Sequence, residues 1–297
     1  MIILILDILK KILLVIFIII ILIIIFLFKG EVQSIVPRKI KKKYKLQIKK
    51  VNKRRVFTLL PRDDKKIEKI ILYLHGGSYV GALNNEHWDF LSDIVDDTGI
   101  AIVIPDYPLT PKYSYKDAFN MVEPIYKEIL KNKENKKFII MGDSAGGGMA
   151  LALVQKMQEE NIEIPDKTIL LSPWLDVTMK NPDIAKIEEN DPILNKLALI
   201  ISGEHYSGKD GKNSYLVNPI NGPLNGLRNI VIFTGTYDIL NADARLLVEK
   251  ANKININIDI REYEKAIHIW MLSRHNKKIV YKAEEAYQDV ITLLKEI

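Results

Sequence analysis

Short apolar runs typical of buried strands alternate with amphipathic stretches at helical spacing throughout residues 56–297. The predicted strands are residues 69–74, 100–105, 137–141, 168–172, 229–234 and 256–263, and the predicted helices are residues 87–98, 115–131, 145–158 and 282–294. This alternation predicts an α/β fold with a mostly parallel sheet covered by helices on both faces. In such folds, sites lie beyond the carboxyl ends of the strands. Residues 176–212 interrupt the pattern and predict an inserted cap over the site.

The amino-terminal end carries a long apolar run. Residues 12–28 are 17 consecutive apolar residues, enough with the mostly apolar residues 1–9 to cover a hydrocarbon core of ~30 Å. A cleaved signal peptide is one alternative, but no small-x-small cleavage site follows the run. A buried core helix is another, but a soluble core seldom needs such a run without a polar face. We predict an N-terminal membrane anchor, a transmembrane helix within residues 1–29.

Basic charge is concentrated beside this run. Residues 1–55 hold 14 Lys+Arg and 2 Asp+Glu, whereas residues 56–297 hold 29 and 35. Because the heavier positive flank follows the apolar run, the positive-inside rule predicts a single-pass protein with its folded domain in the cytoplasm. Residues 39–55 also suit an anionic lipid surface, although a solvated linker or a basic edge strand would carry the same charges. The acidic body argues against a nucleic-acid partner.

The chain has no cysteine. Disulfides, zinc fingers, iron–sulfur clusters and a thiol nucleophile are therefore excluded. This composition fits a reducing compartment without proving one.

Residues 142–146, GDSAG, match the pattern G-x-S-x-G between a predicted strand and a helix that begins with small residues. Such a turn holds its serine in a strained conformation and needs glycines where strand and helix cross closely. Ser144 is therefore the candidate nucleophile. A phosphate-binding turn is the alternative, but a Walker lysine and a G-x-G-x-x-G register are both missing from the sequence around it.

A serine nucleophile needs a base and a carboxylate that orients the base. In this fold class the acidic residue follows the serine along the chain, and the histidine follows the acidic residue. Three histidines follow Ser144. His205 precedes the strand that should hold the acid, and His275 lies in a polar stretch. His268 follows the strand predicted at residues 256–263 and is the candidate base, although a buried structural histidine would look similar.

The acid is expected after the strand predicted at residues 229–234. Asp238 is the candidate, with a helix N-cap as its alternative role. Asp243 falls where a helix should already have begun. Acyl transfer also needs donors for an oxyanion. The amide of Ala145 is one, and Gly76 and Gly77 of the HGGS sequence at residues 75–78 are the others, unless this is a plain hairpin turn.

Four separated segments together resemble the hormone-sensitive-lipase-like branch of the α/β-hydrolases. They are HGG at residues 75–77, GDSAGG at 142–147, the turn at 235–238 and IHIW at 267–270. Residues 106–112, DYPLTPK, also look like the DYRLAPE segment of that family, and residues 172–174, SPW, like a stretch further on. The resemblance covers residues 60–297 and follows the order and spacing of the family.

The resemblance implies an α/β-hydrolase fold in which Ser144 is the nucleophile, Asp238 the acid and His268 the base. It implies oxyanion donors at Gly76, Gly77 and Ala145, and a reaction without metal or cofactor. It also implies a cap built from N-terminal residues and an insertion, here residues 51–61 and 176–212.

The sequence departs from the family at Ser78, Pro108, Thr110 and Lys112, which weakens inferences about substrate and local salt bridges but leaves the three candidate residues in place. Membrane-anchored members exist among arylacetamide-deacetylase-like enzymes, so an N-terminal span is not foreign to the group.

These observations predict a membrane-tethered serine carboxylesterase or deacylase, acting on short-acyl or amphiphilic lipid esters. Its parts would be an anchor (residues 1–29), a basic juxtamembrane segment with part of the cap (30–60) and a hydrolase domain (61–297). A ligand-binding receptor on the same fold is one alternative, but such receptors typically lose the histidine that His268 provides. A peptidase or acyltransferase is another, which the sequence barely separates from an esterase.

Overall fold

A sheet of eight strands organises the computed structural model, which describes residues 33–62, 66–276 and 282–297. The strands are β1 Lys45–Val51, β2 Arg54–Leu60, β3 Lys69–Leu74, β4 Ala101–Pro105, β5 Lys137–Asp143, β6 Lys167–Leu171, β7 Ile230–Gly235 and β8 Ile258–Tyr263. Their order is β1-β2-β4-β3-β5-β6-β7-β8. Strands β3 to β8 are parallel, whereas β2 pairs antiparallel with both β1 and β4. The parallel strands therefore end at one edge, called here the carboxyl edge.

Helices cover both faces of this sheet. They are α1 Arg38–Lys43, α2 Asn85–Thr98, α3 Tyr115–Asn132, α4 Ser144–Glu159, α5 Ile184–Ile187, α6 Lys196–Ser207, α7 Asn241–Asn252 and α8 Ala283–Glu296, with 3-10 turns at Pro219–Asn221 and Trp270–Ser273. The predicted α/β fold with a mostly parallel sheet is confirmed.

The core follows from the alternation of side chains along the strands. One face of the sheet packs against α1, α2 and α8 in a cluster that includes Ile71, Ile139 and Val231. The next residues along these strands point to the opposite face, where Phe138 meets Tyr126 of α3 edge to face. Because both faces are buried, the central strands are apolar at nearly every position.

Residues 51–61, expected in the cap, instead form all of β2 and its turn from β1. Phe57 and Leu59, alternate residues of β2, are buried in the core cluster on one face of the sheet, and Val56 is buried as well, which explains this placement.

A buried cluster at the carboxyl edge holds the beginning of the described chain. Ser34 donates from its amide (3.1 Å) and hydroxyl (2.6 Å) to Asp106 Oδ1, just beyond β4. Asp106 Oδ2 also accepts a 2.9 Å bond from Arg55, and Arg54 is buried with Nε donating to the Asp106 carbonyl oxygen. We call Ser34, Asp106 and Arg55 the Ser34 clasp. The two arginines of the basic segment therefore serve internal structure.

The segment between β6 and β7 includes α5 and α6, so residues 176–212 are partly helical as expected. It touches the carboxyl edge where Asp191 Oδ2 accepts the amide of Ile239 at 2.9 Å.

The predicted membrane anchor falls on residues outside the described part of the chain. Within residues 33–62, 66–276 and 282–297, no helix combines the length and apolar character that crossing a bilayer requires.

Candidate active site

Ser144 stands where strand β5 passes directly into helix α4. Its φ is 51°, in the left-handed region that residues other than glycine rarely adopt. A Cβ added to Gly146 would lie 2.0 Å from the carbonyl oxygen of Leu74, so only glycine lets α4 approach β3 this closely. The strained turn presents the Ser144 hydroxyl at the N-terminus of a 16-residue helix, where developing negative charge is favoured.

Three side chains distant in sequence meet at the carboxyl edge. His268 Nε2 lies 3.0 Å from Ser144 Oγ, and His268 Nδ1 lies 2.9 Å from Asp238 Oδ2. Asp238 lies in the turn after β7, and His268 in the loop after β8. All three are buried. In the neutral ring, an Nδ1–H donated to Asp238 leaves the Nε2 lone pair facing the serine hydroxyl, which is the arrangement needed to accept its proton.

The surroundings of His268 raise its pKa. Burial by itself lowers the pKa of this imidazole, but the charge and hydrogen bond of Asp238 outweigh burial, and the charges of Asp191 and Asp143 act in the same direction. The ring is therefore a stronger base than an ordinary histidine.

The glycine loop, residues 75–81 after β3, lies directly against the serine. A Cβ added to Gly76 would lie 3.0 Å from Ser144 Cβ. The amide of Gly76 donates to Asp143 Oδ1 at 2.9 Å. That amide, expected to face an oxyanion, is therefore already committed to a carboxylate inside the protein.

Other amides around the serine are available. Among the described residues, the N–H groups of Gly77 and Ser78 donate to no protein acceptor. The Ala145 amide belongs to the first turn of α4, where N–H groups have no partner within the helix. The set of available donors is therefore Gly77, Ser78 and Ala145. Ser78 was not predicted as a donor because it replaces a glycine of the family pattern. Its backbone N–H, however, is present whatever the side chain.

His75 fixes the orientation of this loop. Its Nδ1 lies 2.8 Å from the carbonyl oxygen of Gly76, and its ring stacks on Tyr107 with centroids 4.2 Å apart. Burial, with the nearby His87, lowers the pKa of His75 to about 4, so the ring is neutral and Nδ1–H donates. Since the Gly76 carbonyl and the Gly77 amide share one peptide plane, this bond also directs the Gly77 N–H.

Asp143 joins the loop, the sheet and α2. Its Oδ1 also accepts the Tyr73 hydroxyl at 2.5 Å, and its Oδ2 lies 3.3 Å from His87 Nε2. Burial alone would raise the pKa of Asp143, but His87 and these hydrogen bonds together hold it below its ordinary value. The sequence had given no role to this residue beyond its place in the motif.

Asp191, in the insertion, is a second residue that the sequence did not single out. Its Oδ1 accepts the amides of Ile193 (2.8 Å) and Leu194 (2.9 Å), while Oδ2 accepts that of Ile239, directly after Asp238. Burial and the charge of Asp238 raise the pKa of Asp191. The sequence DPILN does not signal this role, since α6 begins only at Lys196 and Asn195 is its N-cap.

The remaining candidates lie elsewhere. His205 is exposed on α6, and His275 pairs with Asp93 at 2.7 Å. Asp243 is buried in α7 and accepts a bond from Asn181, with its pKa raised to about 6 by burial. Within the described residues, no group of three or more His, Asp or Glu side chains could hold a metal ion.

Comparisons with known proteins agree with this architecture. The chain is 28% identical over 197 residues to an esterase of Acinetobacter venetianus, covering 66% of this chain and 65% of the esterase. It is 27% identical over 203 residues to an acetyl-hydrolase of Streptomyces hygroscopicus, covering 68% of each. The chain thus spans about two thirds of the length of these relatives.

A solved esterase from the bacterial hormone-sensitive lipase family superposes with a TM-score of 0.78 at 23% identity, covering 86% of this chain and 84% of that one. An esterase/lipase from an uncultured bacterium gives 0.74 at 24% identity, with 89% and 92% covered. The family model described as alpha/beta hydrolase fold matches residues 71–272, from β3 to the 3-10 turn after the candidate histidine. By its sequence and by its fold, the chain belongs to the alpha/beta hydrolase family.

Proposed function

We propose that the protein is a serine hydrolase that cleaves carboxylic esters through Ser144, His268 and Asp238. The observation that carries this proposal is the continuous chain of contacts from Ser144 Oγ to His268 Nε2 (3.0 Å) and from His268 Nδ1 to Asp238 Oδ2 (2.9 Å). Relatives named as an esterase and an acetyl-hydrolase support an ester substrate with a short acyl group.

In the first half of the reaction, Ser144 Oγ attacks the ester carbonyl carbon while His268 Nε2 takes the hydroxyl proton. The imidazolium that forms is stabilised by Asp238, whose carboxylate already accepts a hydrogen bond from His268 Nδ1. The carbonyl oxygen becomes an oxyanion, and we assign Gly77, Ser78 and Ala145 as the amides that bind it. Three preorganised donors stabilise this intermediate more than water would, because they need no reorientation.

Collapse of the intermediate breaks the ester bond. His268 returns its proton to the leaving alcohol, and the acyl group remains on Ser144. A water molecule then repeats the sequence: His268 accepts a water proton, hydroxide attacks the acyl carbon, and the acid leaves as Ser144 regains its proton. No cofactor is required by these steps, since every proton is carried by His268.

Hydrolysis of p-nitrophenyl esters of graded acyl length tests this function. We expect activity greatest on short chains, and a loss of several orders of magnitude in Ser144→Ala and in His268→Gln. The matched control is His205→Gln, an exposed histidine on α6, which should retain wild-type rates. Activity that survives in Ser144→Ala would refute the nucleophile. Hydrolysis of the matching anilides would separate an esterase from a peptidase.

We also propose that residues 12–28 anchor the protein in a membrane, with the hydrolase domain in the cytoplasm. The uninterrupted apolar run and the basic charge that follows it support this topology. The chain has no cysteine, so one added at the C-terminus reports its own compartment. It should resist an impermeant thiol reagent in intact cells and react after lysis, and reaction in intact cells would overturn the topology.

A further inference from the structure

Exposed apolar side chains of the described residues are concentrated at one end of the sheet. Five large hydrophobic residues are exposed, and the first four of them lie at that end: Ile35 (81%), Ile48 (52%), Ile193 (48%), Leu197 (48%) and Ile254 (44%). Single exposed apolar residues are common on protein surfaces and need no explanation. Their placement relative to the candidate active site is what distinguishes these five.

Two of them lie at the carboxyl edge on the β1 side. Ile35 follows Ser34, which is hydrogen-bonded to Asp106 just beyond the end of β4. Ile48 pairs across β1 and β2 with Phe57, and Phe57 pairs with Ile104, the penultimate residue of β4. Both side chains therefore lie near the level at which the parallel strands end.

Two more lie at the same edge on the β7 side. Ile193 donates its amide to Asp191, whose other oxygen accepts the amide of Ile239, next to Asp238. Leu197 is in the first turn of α6, shortly after. Ile35, Ile48, Ile193 and Leu197 are called here the apolar rim. In the sheet order, β5 with Ser144 at its end lies between the two halves of this rim.

Ile254 occupies the opposite end of the molecule. It lies between the end of α7 and the start of β8, at the amino ends of the parallel strands. Four of the five exposed residues therefore flank the candidate site, and the fifth provides a natural reference point.

Unpaired basic charge accompanies the rim on its β1 side. Lys50 pairs in the sheet with Arg55, whose carbonyl accepts the Asp106 amide, and Lys53 lies in the turn from β1 to β2. Both lysines are exposed, and neither forms an ion pair within the described part of the chain. On the β7 side the exposed charges are mixed, since Glu188 and Glu189 are acidic and Lys180 of the same insertion is basic.

The point at which the N-terminal residues join the domain agrees with this direction. The described chain begins at Gln33, beside Ser34 of the clasp, so residues 1–32 are covalently attached at the carboxyl edge. Those residues contain the 17-residue apolar run. The membrane anchor proposed above for that run would therefore be joined to the domain next to the Ser34 clasp.

We propose that the apolar rim, with Lys50 and Lys53, docks on the surface of an anionic lipid bilayer, so that Ser144 receives its ester from the membrane. Apolar side chains that enter the headgroup region beside lysines are the combination that binds such surfaces. This inference rests on the proposed function, since it names the source of the substrate for that same site.

The orientation can be measured without any catalysis. The full chain, carrying Ser144→Ala, is reconstituted in vesicles of phosphatidylcholine with phosphatidylglycerol. Because the chain has no cysteine, Ile35→Cys, Ile48→Cys, Ile193→Cys, Leu197→Cys and Ile254→Cys each give one site for an environment-sensitive fluorophore. Spin-labelled lipid should reduce emission from the four rim positions by at least about twofold and leave position 254 unchanged. Equal quenching at position 254, or none at the rim, would overturn the proposal.

Activity provides the second readout. We compare two rates in the enzyme that retains Ser144. The first is the rate of hydrolysis of an ester dissolved in the vesicles, and the second is the rate of hydrolysis of p-nitrophenyl acetate in solution. The ratio of the first rate to the second is the measured quantity. Combined Ile35→Ser and Ile193→Ser should lower this ratio by about fivefold, since less apolar surface enters the bilayer. Ile254→Ser is the matched control and should keep the wild-type ratio, and an unchanged ratio in the rim variant would contradict the proposal. An enzyme inactive on both esters would refute the ester-hydrolase function while the quenching pattern still reports the orientation.

Discussion

Tyr206 of α6 stacks face to face on Tyr79 of the glycine loop, with ring centroids 3.5 Å apart and an interplanar angle of 3°. Tyr79 and the preceding Ser78 both have positive φ values, 62° and 53°. Such backbone conformations persist only where the surrounding structure enforces them. The insertion therefore supports the strained loop that carries two of the assigned oxyanion donors.

The ring of Tyr206 should accordingly matter more than its hydroxyl. Tyr206→Ala removes a buried ring and should lower the free energy of unfolding by about 3–5 kcal/mol. It should also lower kcat with little change in KM, because the loop donors act on the transition state. Tyr206→Phe keeps the stacked ring and should retain the wild-type free energy of unfolding and the wild-type kcat. Denaturant unfolding and steady-state kinetics on p-nitrophenyl acetate measure the two effects, and an equal kcat in Tyr206→Ala and wild type would refute the coupling.

The raised pKa of His268 sets the acid limb of the activity. Only the neutral ring can accept the Ser144 proton, so kcat/KM should fall as pH drops through a pKa above the ordinary value of about 6.5. Because the charge of Asp191 helps to raise this pKa, Asp191→Asn should move the limb to lower pH. Asp210→Asn, which changes an exposed carboxylate paired with Lys116, is the control and should leave the limb in place. A pH profile of kcat/KM decides between these outcomes.

The Asp143 carboxylate, which holds the glycine loop through the Gly76 amide, should make the free energy of unfolding depend on pH in the acid range. Its folded-state pKa is lowered, so its ionised form stabilises the fold above its ordinary pKa, and that stabilisation is lost as pH falls through the folded value. Asp143→Asn leaves one acceptor oxygen for three donors and should reduce stability at neutral pH by about 1–3 kcal/mol. Thermal unfolding from pH 7 to 3 should show a shallower acid loss in the variant than in wild type. Parallel curves would contradict this role.

Close packing at the nucleophile turn predicts a large difference between two glycine substitutions. In Gly146→Ala the new Cβ meets the Leu74 carbonyl oxygen at 2.0 Å, a backbone atom that cannot move aside, so the loss should reach or exceed about 3 kcal/mol. In Gly99→Ala, at φ 69°, the Cβ meets nothing within 4 Å, and only the backbone strain of about 1 kcal/mol is expected. Midpoints of urea unfolding compare the two variants directly. Similar midpoints would show that the turn relaxes.

Much of the fold could be predicted because local patterns and tertiary environment agree. The strand expected at residues 69–74 is observed as Lys69–Leu74, and the helix expected at residues 115–131 is observed as Tyr115–Asn132. Both carry periodic apolar residues that the core then buries. The family resemblance placed residues 51–61 in the cap, whereas Arg54 and Arg55 at the start of β2 donate to the carbonyl oxygen and carboxylate of Asp106, beside β4.

The site was predictable to the extent that it depends on chain order. Ser144, Asp238 and His268 could be selected because each follows a strand of a parallel sheet, and such positions share one edge. Hydrogen-bond direction could not be predicted in the same way. The Gly76 amide turns towards Asp143, and Asp191 reaches Ile239 from the insertion, through three-dimensional contacts that leave no periodic trace in the sequence.

The Ser34 clasp has a mechanical consequence. Tension applied through the N-terminal chain is borne first by the bonds between Ser34 and Asp106, before it can peel β1 from the margin of the sheet. Arg55 braces the same carboxylate from β2, so the load is shared with an interior strand. Force applied through the N-terminal chain would thus act on this junction first. The candidate active site, further along the sheet, would be deformed less.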